Sequence, residues 1–245
     1  MPGSIPSGCG SVLDRFGDSA IAPAHQFKEH SSLPAGNKMF KCKLSCLDEE
    51  EALRGSLSVA ELQRCQQIAD PVLRARFVVS RGLRRQMLAD CTGRSQAGLM
   101  FAEDGNSKPR LLDDDGWDFN ISHAGNYVAA AVDRSAIGVD LELIREVRDM
   151  GRLVERCFHP LEAVAWARLP VSLKKEAFFI FWCAREAAIK CRGLGLGRGM
   201  SVTCIGPEIL SGGQAEGAVG NAKLRVERLH APTGYVLIVA RDQGA

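Results

Sequence analysis

The chain of 245 residues is poor in several kinds of residue. Only 6% are aromatic, two of them tyrosine, and only five residues are histidine. The histidines are scattered, and the nine cysteines, an odd number, contain no C-x-x-C pair. A zinc signature and a secreted disulfide framework are both excluded. The cysteines read as reduced thiols of a cytoplasmic protein. Excess charge is also missing: 31 Lys and Arg stand against 29 Asp and Glu, a net charge of +2. Bulk electrostatics therefore gives no case for a nucleic-acid or membrane partner, and any basic site must be local. No run approaches the roughly 18 apolar residues a membrane helix needs. The opening residues, MPGSIPSGCGSVLDRFG, lack the basic and apolar regions of a signal peptide. No G-x-S-x-G elbow is present. The glycine run GLGLGRG (193–199) follows a helical pattern, whereas a phosphate-cradling loop follows a strand, so it reads as a helix stop and a flexible loop.

What is present is an ordinary globular composition, 46% hydrophobic and 24% charged, long enough for a real core. Residues 1–38, rich in Gly, Pro and Ser, read as an extension. Alternation over MFKCKLSC (39–46) predicts a strand. Asp48 is expected to cap a short helix to about Arg54, and Ser58 with Glu61 forms a capping box for a second. A third helix runs from Asp70-Pro71 to about Ala89, with an apolar stripe and arginines 74, 76, 81, 84 and 85 on its other faces. Residues 98–112 read as strand, turn at Asp104–Asn106, and an extended piece. YVAAAV (127–132) and IGVDLELI (137–144) are predicted to pair as a hairpin across Asp133–Ala136. Two short helices (152–157, 161–167), a long one over Leu173–Cys191, and strands at 201–205, 222–229 and 235–241 complete the chain. The order indicates an α+β fold, with two halves joined near residues 136–138. The expected units are 1–38, 39–136 and 137–245.

Within IGVDLEL, alternate side chains share a face: Val139, Leu141 and Leu143 point one way, Asp140 and Glu142 the other. Two carboxylates this close repel unless a cation sits between them. Mg²⁺ fits, since it takes one or two carboxylates and fills its other positions with phosphate oxygens and water. A solvated polar strand face is the plainer alternative on spacing alone. Glu186 and Lys190 share a face of the long helix. A surface ion pair is the plainer reading, but the surrounding AFFIFW and AAI segments are apolar enough to place the pair on a cleft, where Glu186 would be a third carboxylate. In SHAG (122–125), Ser122 and His123 are adjacent, which suits a phosphate-contacting pair better than a nucleophile and its base; a simple turn is the alternative. Arg76 lies toward the apolar side of its helix, which favours a specific, partly buried contact.

FNISHAG, IGVDLE and FWCAREAAIKCRGLGLG, in this order and spacing, resemble the 4′-phosphopantetheinyl transferases, in their larger two-domain class. The resemblance extends upstream through LSVAELQRC, RARFVVSRGLRR and SKP, over about residues 39–240. It implies two similar α+β halves with a coenzyme A cleft between them. By position it implies Mg²⁺ (or Mn²⁺) at Asp140, Glu142 and Glu186, and pyrophosphate contact from Lys190. It further implies phosphate contacts from Ser122 and His123, and nucleotide contacts from Arg76, Lys108 beside Pro109 and, more weakly matched, Arg64. Four positions depart from the family pattern: Arg185 replaces a lysine, Ala124 a second serine, Ser107 a glycine, and Arg198 sits in a loop that is often apolar.

The implied reaction moves the phosphopantetheine arm of coenzyme A to a serine of an apo acyl or peptidyl carrier protein of fatty-acid, polyketide or nonribosomal peptide synthesis, releasing adenosine 3′,5′-bisphosphate. Glu186 would be the base, with Lys190 and His123 neutralising phosphate charge. The carrier is acidic in most systems of the family, and its docking surface is expected around Cys157–Leu173. A monomer is expected, since one chain can build the whole cleft. The rivals are a non-catalytic coenzyme A or carrier-binding relative, against which the retained acids and Lys190 argue, and a nucleic-acid binder using the arginine helix.

Overall fold

The computed structural model of the protein describes residues 40–102, 108–112 and 116–243. The proposed extension and the turn at Asp104–Asn106 lie outside them. The first half comprises β1 (Lys41–Cys46), α1 (Glu50–Arg54), α2 (Val59–Gln66), α3 (Pro71–Thr92), β2 (Phe101–Ala102), β3 (Arg110–Leu111), β4 (Asp118–Ala124) and β5 (Tyr127–Asp133). The second comprises β6 (Ile137–Leu143), α4 (Met150–Cys157), α5 (Pro160–Ala167), α6 (Val171–Cys191), α7 (Leu196–Val202), β7 (Thr203–Ile205), α8 (Ile209–Gly212), β8 (Gln214–Val219), β9 (Ala222–Leu229) and β10 (Tyr235–Asp242). One sheet has the order β1-β5-β4, the other β6-β10-β9-β8-β7, and every pairing in both is antiparallel.

Each sheet carries a long helix on one face and meets the other sheet with its opposite face. Val128, Ala130 and Val132 of β5 pack with Val79, Leu83, Met87 and Leu88 of α3. Ala129 and Ala131, on the reverse face, pack with Ile137, Val139, Leu141, Leu237 and Val239 of the second sheet. This burial on both faces explains why YVAAAV shows no polar alternation. On the far side, α6 packs its Phe178, Phe181, Ala184 and Ala188 against Val236, Ile238 and Ala240 of β10.

The expected hairpin between 127–132 and 137–144 does not form. Tyr127–Asp133 has both edges occupied, by β1 and β4, and Ile137–Leu143 crosses into the second sheet to pair with β10. Sequence proximity favoured a local pairing, but β4 and β5 already form a hairpin through Gly125 and Asn126. Gly125 has φ +50°, and a Cβ there would lie 2.3 Å from the Tyr235 hydroxyl. Smaller corrections follow. Asp48 sits inside a 3₁₀ turn (Leu47–Glu49) ahead of α1 and does not cap it. Four of the seven residues of the GLGLGRG run, 196–199, belong to α7 and not to a loop, and Ser201 and Val202 are helical. The strands β4 and β8 were not anticipated. The Ser58–Glu61 capping box and the Asp70 cap with Pro71 behind it are present as expected, each cap contributing about 1 kcal/mol.

The arginines of α3 are not a solvated face. Arg84 and Arg85 are buried, 2% and 3% exposed. Both pair with Glu61, at 3.0 and 2.6 Å, and Arg84 stacks 3.7 Å over the Phe101 ring.

Candidate active site

β6 presents Gly138, Asp140 and Glu142 to α6. A Cβ on Gly138 would lie 2.0 Å from the Ala187 carbonyl oxygen and 2.4 Å from the Cys191 nitrogen. The glycine therefore lets the helix approach closely enough for Glu186 to meet the strand's acids. One carboxylate oxygen from each of Asp140, Glu142 and Glu186 lies within 4.8 Å of the others.

Lys190 Nζ donates to Asp140 Oδ1 at 2.5 Å and to Ser122 Oγ at 3.1 Å, and lies 3.7 Å from Glu186. Ser122 Oγ in turn donates to Asp140 Oδ1 at 2.8 Å. Asp140 is 2% exposed, yet its Oδ2 has no hydrogen-bond partner. A buried carboxylate oxygen left bare is expensive, and this carboxylate stands close to two further acids.

Three carboxylates against the Lys190 ammonium and the largely exposed Arg145, 3.2 Å from Glu142, leave the cluster short of positive charge. The electrostatics register this. Burial, then Asp140, lifts Glu186 to about pKa 7, with Lys190 only partly offsetting. Burial and Asp140 also raise Glu142, against the opposing pull of Arg145. For Lys190, burial disfavours the charge, but Asp140 and Glu186 outweigh it and raise the pKa. Bare buried oxygen, hard oxygen donors and unmet negative charge together fit an oxygen-loving divalent cation such as Mg²⁺.

Alternation along β4 separates Ser122 from His123. Ser122 points at the acids, while His123 lines a 390 Å³ cavity under α3 with Arg76, Phe77, Arg81, Pro109, Asn120 and Ile121. A Ser–His catalytic pair is thereby ruled out. Partial burial first, then Arg76, pushes the His123 pKa below its usual value. Arg76 NH2 reaches the Gly125 carbonyl oxygen at 3.5 Å, and its buried Nε has no partner.

Two expected nucleotide contacts lie elsewhere. Lys108 turns to the boundary between the sheets, where its Nζ donates to Asp118 Oδ2 and to the Ile137 carbonyl oxygen. Arg64 is exposed, bonds Gln67 on its own helix at 3.1 Å, and does not line the cavity.

Arg185, next to Glu186, faces away from the acids. It is 1% exposed and contacts both oxygens of Glu162, at 2.9 and 2.7 Å, and the carbonyl oxygens of Thr203 and Met200. Glu162 also accepts from the Ile205 and His159 amides. This junction of α5, α6, α7 and β7 was not foreseen. Its one sequence signal is the H-x-x-E capping spacing at 159–162, which marks Glu162 as a helix cap but not as the partner of Arg185.

Two family models match the chain. That of the 4′-phosphopantetheinyl transferase superfamily matches residues 136–240, and that of the 4′-phosphopantetheinyl transferase N-terminal domain matches residues 35–135. The chain belongs to the 4′-phosphopantetheinyl transferase family, enzymes that transfer phosphopantetheine. It is 34% identical over 160 residues to the 4′-phosphopantetheinyl transferase HetI of Nostoc sp., covering 62% of this chain and 68% of that protein. It is 27% identical over 170 residues to the 4′-phosphopantetheinyl transferase psf-1 of Bacillus pumilus, covering 67% and 72%. Over 158 residues it is 25% identical to the 4′-phosphopantetheinyl transferase Sfp of Bacillus subtilis, covering 61% and 66%. Among the described residues no helix is long and apolar enough to cross a membrane.

Proposed function

We propose that the enzyme moves the 4′-phosphopantetheine arm of coenzyme A to a serine of an apo acyl or peptidyl carrier protein. The reaction depends on Mg²⁺, or Mn²⁺ in its place, and releases adenosine 3′,5′-bisphosphate. The observation that carries this reading is the acid cluster with its bare Asp140 oxygen, separated by a single β4 residue from a cationic cavity.

Asp140, Glu142 and Glu186 would hold the metal, which when bound neutralises charge on the diphosphate. The chain's own residues do the rest. Arg76 and His123 bind the nucleotide end in the cavity, and that remote binding orients the reacting phosphate. Ser122 keeps Asp140 and Lys190 in register. Lys190, held cationic by its acidic neighbours, meets negative charge on the phosphates. Glu186, ionised beside the bound metal, takes the proton of the attacking serine hydroxyl.

Carrier docking falls on the surface of α5 and the start of α6. There Leu161, Val164 and Val171 are exposed, beside a 530 Å³ groove lined by Arg156, His159, Trp182 and Leu196. Its apolar and basic character suits an acidic partner. One chain supplies every residue of the site, which supports a monomer.

The test is incubation with coenzyme A, Mg²⁺ and a panel of apo carrier proteins, followed by intact-mass measurement. A gain of one phosphopantetheine arm on at least one carrier is expected. No gain on any carrier would overturn the reading.

A further inference from the structure

β4 and β6 are edge strands of different sheets that lie side by side without a backbone ladder between them. The outward amides of β6 are met instead by side chains from β4, at a spacing of two. Ile137 N–H donates to Asp118 Oδ2 at 2.8 Å, and Val139 N–H donates to Asn120 Oδ1 at 3.0 Å. Two residues further along β4, Ser122 grips Asp140 itself. The D-x-N-x-S spacing at 118–122 is thus a row of fasteners along the strand that carries the acids.

Asn120 differs from its neighbours in the row. It is buried and also lines the 390 Å³ cavity. Because Val139 donates, the carboxamide oxygen must face β6, which fixes the NH₂ group on the other end of the amide. Asn120 therefore reaches from the Val139 amide of β6 to the wall of the cavity.

We propose that Asn120 is a binding and positioning residue that links the two parts of the site. Its oxygen holds β6 at Val139, next to Asp140, and its NH₂ group donates to an acceptor oxygen of the ligand in the cavity. The ligand class is a phosphorylated nucleoside, which rests on the function proposed above. Filling the cavity then orders the acid-bearing strand through one carboxamide.

The experiment uses the full chain, with adenosine 3′,5′-bisphosphate as the probe. Binding is read by calorimetry, and amide exchange is read on peptides covering residues 136–143. Asn120→Asp keeps the acceptor and loses the donor, whereas Asn120→Ala loses both. Both variants are expected to bind the probe about tenfold more weakly. Only Asn120→Ala is expected to exchange faster in β6, by about tenfold, with wild-type exchange in β9 and β10. Probe binding should slow β6 exchange in the wild type but not in Asn120→Ala.

Wild-type binding by Asn120→Asp, or unchanged β6 exchange in Asn120→Ala, would overturn the proposal. Should Asn120→Ala fail to fold, Asn120→Ser, with its shorter side chain, replaces it under the same criteria. Failure of the wild type to bind the probe would overturn the nucleotide reading of the cavity, and with it the ligand half of this proposal. The exchange measurement would still decide the strand-holding half.

Discussion

The two halves of the molecule are built alike and equipped differently. In each, the first strand pairs with the last and the last with the one before it: β1-β5-β4 and β6-β10-β9. Each places one long helix, of 22 or 21 residues, on the sheet. Each locks that helix to a short one in the same way. Glu61, in the capping box of α2, pairs with Arg85, and Glu162, in the capping box of α5, pairs with Arg185. Counted from Pro71 and Val171, Arg85 and Arg185 are each the fifteenth residue of their helix.

The chemistry is not repeated. The residue after Arg85 is Gln86, whereas Glu186 follows Arg185; Asp90 stands where the second half has Lys190. The helix-facing positions of β1 are Lys41, Lys43 and Ser45, against Gly138, Asp140 and Glu142 on β6. The arginine–glutamate lock is common to both halves, while the acid cluster belongs to one. The lock explains how arginine can stand where the family pattern has lysine: the position is a structural one.

The largest expected effect breaks this asymmetry at its chemical end. Asp140→Ala or Glu186→Ala should lower the transfer rate by about 10³-fold or more. Gln86→Ala, the counterpart in the other half, should change it less than about twofold. Steady-state transfer assays distinguish them. An equal loss from Gln86→Ala would end the division of labour between the halves.

The locks come next, and they act on stability. Glu162→Ala leaves the buried Arg185 charge without its carboxylate and should cost about 3–5 kcal/mol, lowering Tm by roughly 10 °C at this chain length. Glu61→Ala should cost less, because the Glu61 side chain is 14% exposed, whereas that of Glu162 is fully buried and also accepts from the Ile205 amide. Calorimetric melts rank the two.

A pH effect of middle size is expected from Glu186, and the raised Glu142 acts in the same direction. The Glu186 pKa of about 7 lies above the ordinary 4.5, so the metal-free folded chain holds a proton that the unfolded chain has already released. The contribution to stability is present below pH 4.5 and is lost as pH rises through about 7. Metal-free melts should show this fall over that window, and Glu186→Gln should reduce it. Added Mg²⁺ should oppose it by favouring the ionised form.

The smallest effects separate the cavity from the surface. Arg76→Ala should raise the KM for coenzyme A about tenfold with little change in kcat. Arg64→Ala should raise it less than about twofold.

The sequence made the site more legible than the connectivity. Period-two alternation placed Asp140 and Glu142 on one face, and the four-residue spacing placed Glu186 beside Lys190, because both rules are local. The pairing of β6 was misread because strand partners are chosen by which edges are free, and β5 had none left. β8 was missed because QAEGAV offers small residues and little alternation. The lock between Glu162 and Arg185, and the row formed by Asp118, Asn120 and Ser122, join residues 18 or more apart in sequence. No local pattern announces such contacts.

The most direct measurement is Mn²⁺ binding followed by electron paramagnetic resonance, which needs no knowledge of the carrier protein. One Mn²⁺ per chain is expected in the wild type, with binding lost in Asp140→Asn and Glu186→Gln and retained in Gln86→Ala. Undiminished binding after either acid is neutralised would contradict the convergence of the three carboxylates on one cation.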